Sequence, residues 1–292
     1  MSRSKAKRFL RQVLPAPGYT AAKRLYWSPV VNLLRRSAGR IHARLISRNL
    51  SDVTTLLLFI GYPRSGHSLV GSLLNAHPDI VVAHELHALW YLDHGFSREE
   101  LLALIWRRDR WFGRHGRRWT EFDYTVPGQW QGRSDRPKVI GDKKGDGVTD
   151  LLHFYPGLLE LALRRAGCRV RIVHTVRNPF DNVATMSRRT GDPLFACIER
   201  HRNRVALNAE LIAERGDEMV LTVRHEELIA DPQRELQRIC DFLDLDASPE
   251  YLQACGGIVY ASPHRSRERV SWSAKDHEAV ARLVERTPFL EG

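Results

Sequence analysis

Residues 54–68 read TTLLLFIGYPRSGHS, and the fold follows from how this stretch divides. Thr54 to Ile60 form an unbroken apolar run of strand length, the kind that is buried on both faces of a parallel sheet. Gly61 opens a tight loop, and after Ser68 the apolar residues Leu69, Val70, Leu73 and Leu74 recur at helical spacing. A strand, a glycine-bounded turn and a helix N-terminus bring unpaired N–H groups and the helix dipole to one point, which makes an anion site. The spacing is nearly that of a Walker A loop, G-x-x-x-x-G-K-[ST], with Gly61, Gly66 and Ser68 in place. The lysine is absent. His67 stands where a nucleotide kinase keeps its cation, and the loop's own charge is Arg64. A phosphate-like group is expected here without the usual γ-phosphate chemistry.

The 292 residues suffice for one large α/β domain with additions, and 43% hydrophobic with 27% charged residues fits a soluble globular protein. Cys168, Cys197, Cys240 and Cys255 are widely spaced and lack metal-type neighbours, which argues for a reducing, cytoplasmic compartment and against structural zinc. No apolar run approaches the roughly 20 residues of a membrane span. The net charge of +11 is concentrated at one end: residues 1–50 hold 12 Lys and Arg with no Asp or Glu, and the rest holds 33 basic against 34 acidic residues. This is a basic arm, residues 1–50, on a nearly neutral domain, residues 51–292, rather than a general nucleic-acid surface. The arm breaks at residues 15–18, and its second piece interleaves Val30, Leu34, Ile41 and Leu45 with Arg36, Arg40, Arg44 and Arg48. A peripheral contact with an anionic membrane, a transit segment, a nucleic-acid arm and a helix that packs on the domain all suit this pattern; nucleic acid is the least expected partner.

After the first helix, Pro78 stops the chain and Ile80 to Ala83 make a short buried strand ending at His84-Glu85-Leu86-His87. Carboxyl ends of neighbouring parallel strands border one crevice, so His84, Glu85 and His87 are candidates for general-base work. Strand alternation sends side chains 84 and 85 to opposite sides. Residues 97–137 combine Trp106, Trp111, Trp119 and Trp130 with Arg107, Arg108, Arg110, Arg114, Arg117 and Arg118, helical from Glu99 to Trp106 and irregular beyond; a cover over the acceptor site and a solvated insertion both fit. A strand over 138–142 leads into Lys143 and Lys144, either of which supplies a movable cation. One helix is expected over 151–166, and the strand 169–176 ends at Arg177-Asn178-Pro179. Arg177, with the hydroxyl of Thr185 eight residues on, prepares a second anion site where a kinase would place a magnesium-binding Asp. A basic lid, residues 262–275, carries Arg265, Arg267 and Arg269.

The loop GYPRSGHS, the segment VRNPFDNVAT and the later VRHEELIADP resemble the sulfotransferase family that uses 3′-phosphoadenosine 5′-phosphosulfate (PAPS), over about residues 54–275. The resemblance implies a P-loop-like central parallel sheet flanked by helices, PAPS as donor, 3′-phosphoadenosine 5′-phosphate (PAP) as product and no metal. It gives Arg64, Ser65, Gly66, His67 and Ser68 to the 5′-phosphosulfate, with His67 departing from the usual Thr, and Arg177 and Thr185 to the 3′-phosphate. Within the family the motifs are most similar to tyrosylprotein sulfotransferases. That likeness makes Glu85 the catalytic base, Arg64 and one of Lys143 or Lys144 catalytic cations, and Ser271 of Glu268-Arg-Val-Ser271 an active-site serine. It places Arg189 on the 3′-phosphate and His225 beside the adenine. The expected chemistry is in-line transfer to the hydroxyl of an acceptor of unspecified class; a P-loop kinase acting on nucleotides or small molecules is the competing expectation.

Overall fold

The computed structural model describes residues 29–119 and 122–291; the break in the arm at residues 15–18 lies outside them. The chain begins with α1 (Pro29–Leu45), β1 (Thr55–Gly61), α2 (His67–Asn75), β2 (Ile80–His84), α3 (Ala88–Asp93) and α4 (Arg98–Arg114). A hairpin of β3 (Arg118–Trp119) and β4 (Phe122–Asp123) follows, then β5 (Val139–Lys143), α5 (Asp146–Phe154), α6 (Gly157–Arg165) and β6 (Arg169–Val176). The last third is α7 (Pro179–Thr190), α8 (Leu194–Arg215), β7 (Val220–Arg224), α9 (His225–Ala230), α10 (Pro232–Phe242), α11 (Pro249–Gly256) and α12 (Ala274–Glu285).

Five strands form one parallel sheet in the order β2-β5-β1-β6-β7. The unbroken apolar run of β1 has its explanation in two cores. Leu56, Leu58 and Ile60 face the layer built with α3 and α4, while Leu57 and Phe59 face the layer of α2, α10 and α11. All seven β1 residues are buried. The carboxyl ends Gly61, His84, Lys143, Val176 and Arg224 therefore open along one edge of the sheet.

Two expected elements differ from those observed. The single helix over 151–166 is two helices, α5 and α6, because Pro156 removes a backbone donor and holds Tyr155 out of the helical region at φ −137°. Conversely, α4 continues past Trp106 to Arg114. Its polar second half is held by tertiary contacts: the fully buried Asp109 accepts from Asn75 Nδ2 at 2.7 Å and from Arg117 Nη1 at 2.9 Å. The backbone of Gly132 and Trp130 donates to the carbonyls of Asn75 and Ala76 at 2.7 and 3.1 Å, so residues 97–137 are pinned to the end of α2. Trp106 joins the main core, whereas Trp111 and Trp130 stay exposed. The helix α1 lies on α4, with Arg40 Nε donating to the buried Glu100 at 2.7 Å. All four cysteines are free thiols, and among the described residues no helix is long and apolar enough to cross a membrane.

Candidate active site

The loop after β1 is built from below. Gly61 N donates to Thr149 Oγ1 at 3.2 Å, and that hydroxyl donates in turn to Asn208 Oδ1 at 3.0 Å. Ser65 Oγ lies 2.9 Å from Thr175 Oγ1 on β6, and the buried Tyr62 hydroxyl lies 3.1 Å from His174 Nε2. Arg64 and Gly66 both take the left-handed region, at φ 71° and 92°. This reverses the chain so that α2 starts at His67, and no side chain caps its N-terminus. A Cβ on Gly66 would stand 2.6 Å from His225 Nδ1, so the loop and the start of α9 touch only because residue 66 is glycine. If this loop holds a nucleotide phosphate, as the sequence leads one to expect, Gly66→Ala should weaken that binding at least about tenfold, through both the clash and the positive φ, with a modest fall in melting temperature. Isothermal titration beside a melting curve checks this.

His67 occupies the Walker lysine position but supplies no cation. Burial pushes its pKa down to about 3, assisted by the positive charge of Lys143, so the ring is neutral at physiological pH. The missing charge arrives from the neighbouring strand instead. Lys143, at the end of β5 and 2% exposed, passes over Gly71 of α2 and donates from Nζ to Ser68 Oγ at 2.9 Å. Its Nζ also lies 3.4 Å from Glu85 Oε1 and 3.5 Å from His84 Nε2. Lys144 holds the other Glu85 oxygen at 3.2 Å. Burial lowers the Lys143 pKa and Glu85 partly restores it. For Glu85 burial works toward the neutral acid, but the two lysines outweigh it and hold the carboxyl well below the usual carboxylate range.

The expectation that side chains 84 and 85 diverge is not met, since both face Lys143. Alternation applies to regular strand, and Glu85 leaves it at φ 56°, followed by His87 at 69°. The cause is Asp142, fully buried on β5, which accepts from Leu86 N and Ala88 N, each at 2.8 Å. Sequence reasoning passed over Asp142 because an acid inside a short strand carries no local signal. His84 stacks on Phe112 of α4, ring centroids 4.4 Å apart, and its ring meets Trp119 of the hairpin at 4.7 Å. Tyr124, just past β4, joins Phe112, Ser68 and Lys143 around a small cavity. Part of the 97–137 excursion thus borders the crevice.

On the far side of β1, Arg177 ends β6, and Asn178 caps α7 by accepting from Phe180 N at 3.1 Å with Pro179 as the first helical residue. Arg177 Nη1 donates to Thr185 Oγ1 at 3.4 Å and Nη2 to the carbonyl of His264. Thr185 Oγ1 lies 2.8 Å from Ser266 Oγ, so the segment 262–271 is fastened to Thr185 and Arg177. Of its three arginines, Arg267 pairs with Asp181 at 2.7 Å, Arg265 pairs with Glu268 at 3.7 Å, and Arg269 is exposed. Arg189 sits one turn beyond Thr185 on the same face of α7, and Ser271 is exposed at the end of the lid. His225 lies between the loop after β1 and Arg177. Burial, reinforced by the charge of Arg177, pushes its pKa down to about 4, while its ring abuts Gly66. Among the described residues no cluster of His, Cys, Asp and Glu is arranged to hold a metal ion.

The Sulfotransferase family model matches residues 159–249, the stretch that carries Arg177, Thr185, Arg189 and His225. Among solved structures, the sulfotransferase domain from the Synechococcus PCC 7002 olefin synthase is similar at a TM-score of 0.53 and 19% identity, covering 80% of this chain and 94% of that one. The sulfotransferase domain from the curacin biosynthetic pathway is similar at a TM-score of 0.50 and 15% identity, covering 81% of this chain and 98% of that one. No curated protein matches the chain. The family model supports the sulfotransferase family, and the structural likenesses establish the fold.

Proposed function

We propose that this chain, which has the sulfotransferase fold, transfers the sulfuryl group of PAPS to an acceptor hydroxyl and releases PAP. The observation that carries the proposal is the Lys143 contact with Ser68 and Glu85: one buried cation beside both the phosphate loop and a carboxylate. The crevice suits a doubly phosphorylated nucleotide. His225 Nδ1 and Arg177 Nε are buried without a hydrogen-bond partner among the described residues, and a nucleotide spanning the two pockets offers partners for both.

In this reading the loop N–H groups, Arg64 and Ser65–Ser68 hold the 5′-phosphosulfate, and Arg177, Thr185 and Arg189 hold the 3′-phosphate. His225 flanks the adenine and Arg269 belongs to the closing lid. Glu85 takes the acceptor proton, the acceptor oxygen attacks sulfur, and the bond from sulfur to the 5′-phosphate oxygen breaks. Negative charge then grows on the leaving phosphate, where Arg64, Lys143 and Ser271 stabilise it. Lys143 rather than Lys144 is assigned this role because it reaches Ser68, at the first turn of α2. Drawing Lys143 onto the bound phosphate weakens its hold on Glu85 and adds a negative neighbour, and both effects raise the basicity of that carboxylate. The site tunes its own base when the donor is present.

A phosphoryl-transfer reading lacks support at residue 67, where a neutral imidazole replaces the lysine. Thermal shift separates the two. At a hundredfold excess over Kd, PAP is expected to stabilise the protein by about 2.7 kcal/mol, which is roughly 5–10 °C for a domain of this size. ATP with magnesium is expected to do much less. Stabilisation by ATP and magnesium alone, without a response to PAP, overturns the proposal.

A further inference from the structure

The helix α1 turns four large aliphatic side chains outward. Asn32, Gly39 and Ala43 face the body, and Arg40 is drawn inward to Glu100. Leu33, Leu34, Ile41 and Leu45 are 63, 66, 62 and 77% exposed. At 3.6 residues per turn the four fall within an arc of about 120° on the opposite face. They account for four of the eleven exposed large apolar side chains among the described residues, and the other seven are scattered over the molecule. Single exposed leucines are ordinary; a contiguous aliphatic stripe on a helix is not.

The surrounding charge indicates what the stripe meets. No Asp or Glu occurs in residues 1–50, and Arg44 and Arg48, both exposed, stand beside Ile41 and Leu45. Among the described residues neither has a carboxylate partner, unlike Arg36 and Arg40, which share Glu100. The seven Lys and Arg of residues 1–28 add to the same end of the chain. Aliphatic side chains flanked by unneutralised arginines complement a lipid surface carrying anionic headgroups, where apolar burial and charge attraction act together. A nucleic-acid contact would use the arginines but gain nothing from the four aliphatic residues. We propose that the outer face of α1 docks this protein on anionic membranes, lying in the interface without crossing it.

The test uses the full chain and sedimentation with vesicles of phosphatidylcholine alone or mixed with phosphatidylglycerol. Adding the anionic lipid is expected to raise partitioning at least about tenfold, and high salt to reverse much of the gain. The variant Leu34→Glu/Ile41→Glu/Leu45→Glu should lose at least about tenfold in partitioning while melting as the parent does, since its sites are exposed. Arg44→Gln/Arg48→Gln, which keeps the apolar stripe, should lose most of the preference for anionic vesicles. Failure of the parent chain to bind anionic vesicles overturns the proposal, as does unchanged binding by the triple variant. Concentration-dependent dimerisation that the triple variant abolishes would assign the face to a second copy and overturn it too.

Discussion

Glu85→Gln is expected to reduce kcat for sulfuryl transfer by about 10²–10³ while leaving PAP affinity within about threefold. The carboxylate lies between Lys143 and Lys144, at 3.4 and 3.2 Å, and contacts neither Arg177 nor Thr185. Replacing it by an amide keeps the shape, removes the proton acceptor and leaves two cations less neutralised. A purely structural Glu85 would lose turnover only in step with PAP affinity; a base loses turnover far beyond any change in affinity or in melting temperature. The pH profile of kcat/KM, which reports the free enzyme, adds an independent readout. The folded pKa of Glu85 is depressed, so the acid limb should lie below the ordinary carboxylate value of 4.5. Lys143 is lowered by burial and supported by Glu85, so its alkaline limb should begin below the free-lysine value of 10.5 and move further down in Glu85→Gln. Turnover of Glu85→Gln within a few-fold of the parent would remove Glu85 from the chemistry.

The linked effect on stability has a definite sign. A depressed carboxylate binds its proton less readily in the folded protein than in the unfolded chain. Its contribution is therefore complete above the unfolded value near 4.5 and is lost as pH falls through the folded one. Glu85→Gln should accordingly flatten the acid side of the melting-temperature profile. That effect is distinct from the loss of turnover, which is measured at neutral pH.

Arg177→Ala should cost about 10–150-fold in PAP affinity, the range of 1.5–3 kcal/mol carried by a hydrogen bond to a charged group. The loss is expected to be selective. Adenosine 5′-phosphate, which lacks the 3′-phosphate, should bind parent and variant nearly alike, so calorimetry with both nucleotides isolates the pocket. Arg177 is 7% exposed and also donates to the His264 carbonyl, so its removal loosens the lid as well. Thr185→Val deletes the hydroxyl proposed to meet the 3′-phosphate and its contact to Ser266 but leaves the guanidinium; a smaller loss of about five- to tenfold is expected there. Equal loss of both nucleotides in Arg177→Ala would mean that the residue holds the lid and does not read the phosphate.

Much of the architecture was legible because it is encoded by near neighbours. The run 54–60, the glycine loop and the apolar spacing after Ser68 mark β1 and α2 within a residue or two of their observed ends. The strand ending at Arg177 and the cap-and-proline signal after it are equally local. Of what failed, one part was local and two parts were not. Pro156 was present to be read as a breaker, and the helix after Trp106 was cut short because its arginines and glycine hide the buried Asp109 that sustains it. Alternation misplaced Glu85 because the backbone turns left-handed there, under a constraint from a different strand.

Residue types and their order determined on their own that this chain would build a parallel α/β sheet with a glycine-bounded turn after its central strand, and that its basic charge would collect at one terminus. Periodicity and turn chemistry act over a few residues, so they survive in a linear text. Only the tertiary structure decided that Lys143 replaces the absent loop cation, that His67 is neutral, and that one lid segment fastens Arg177 and Thr185. Those outcomes depend on burial and on distances between groups 58 to 87 positions apart in the chain. Electrostatic energy follows separation in space and local dielectric, and neither is written in the spacing of residues.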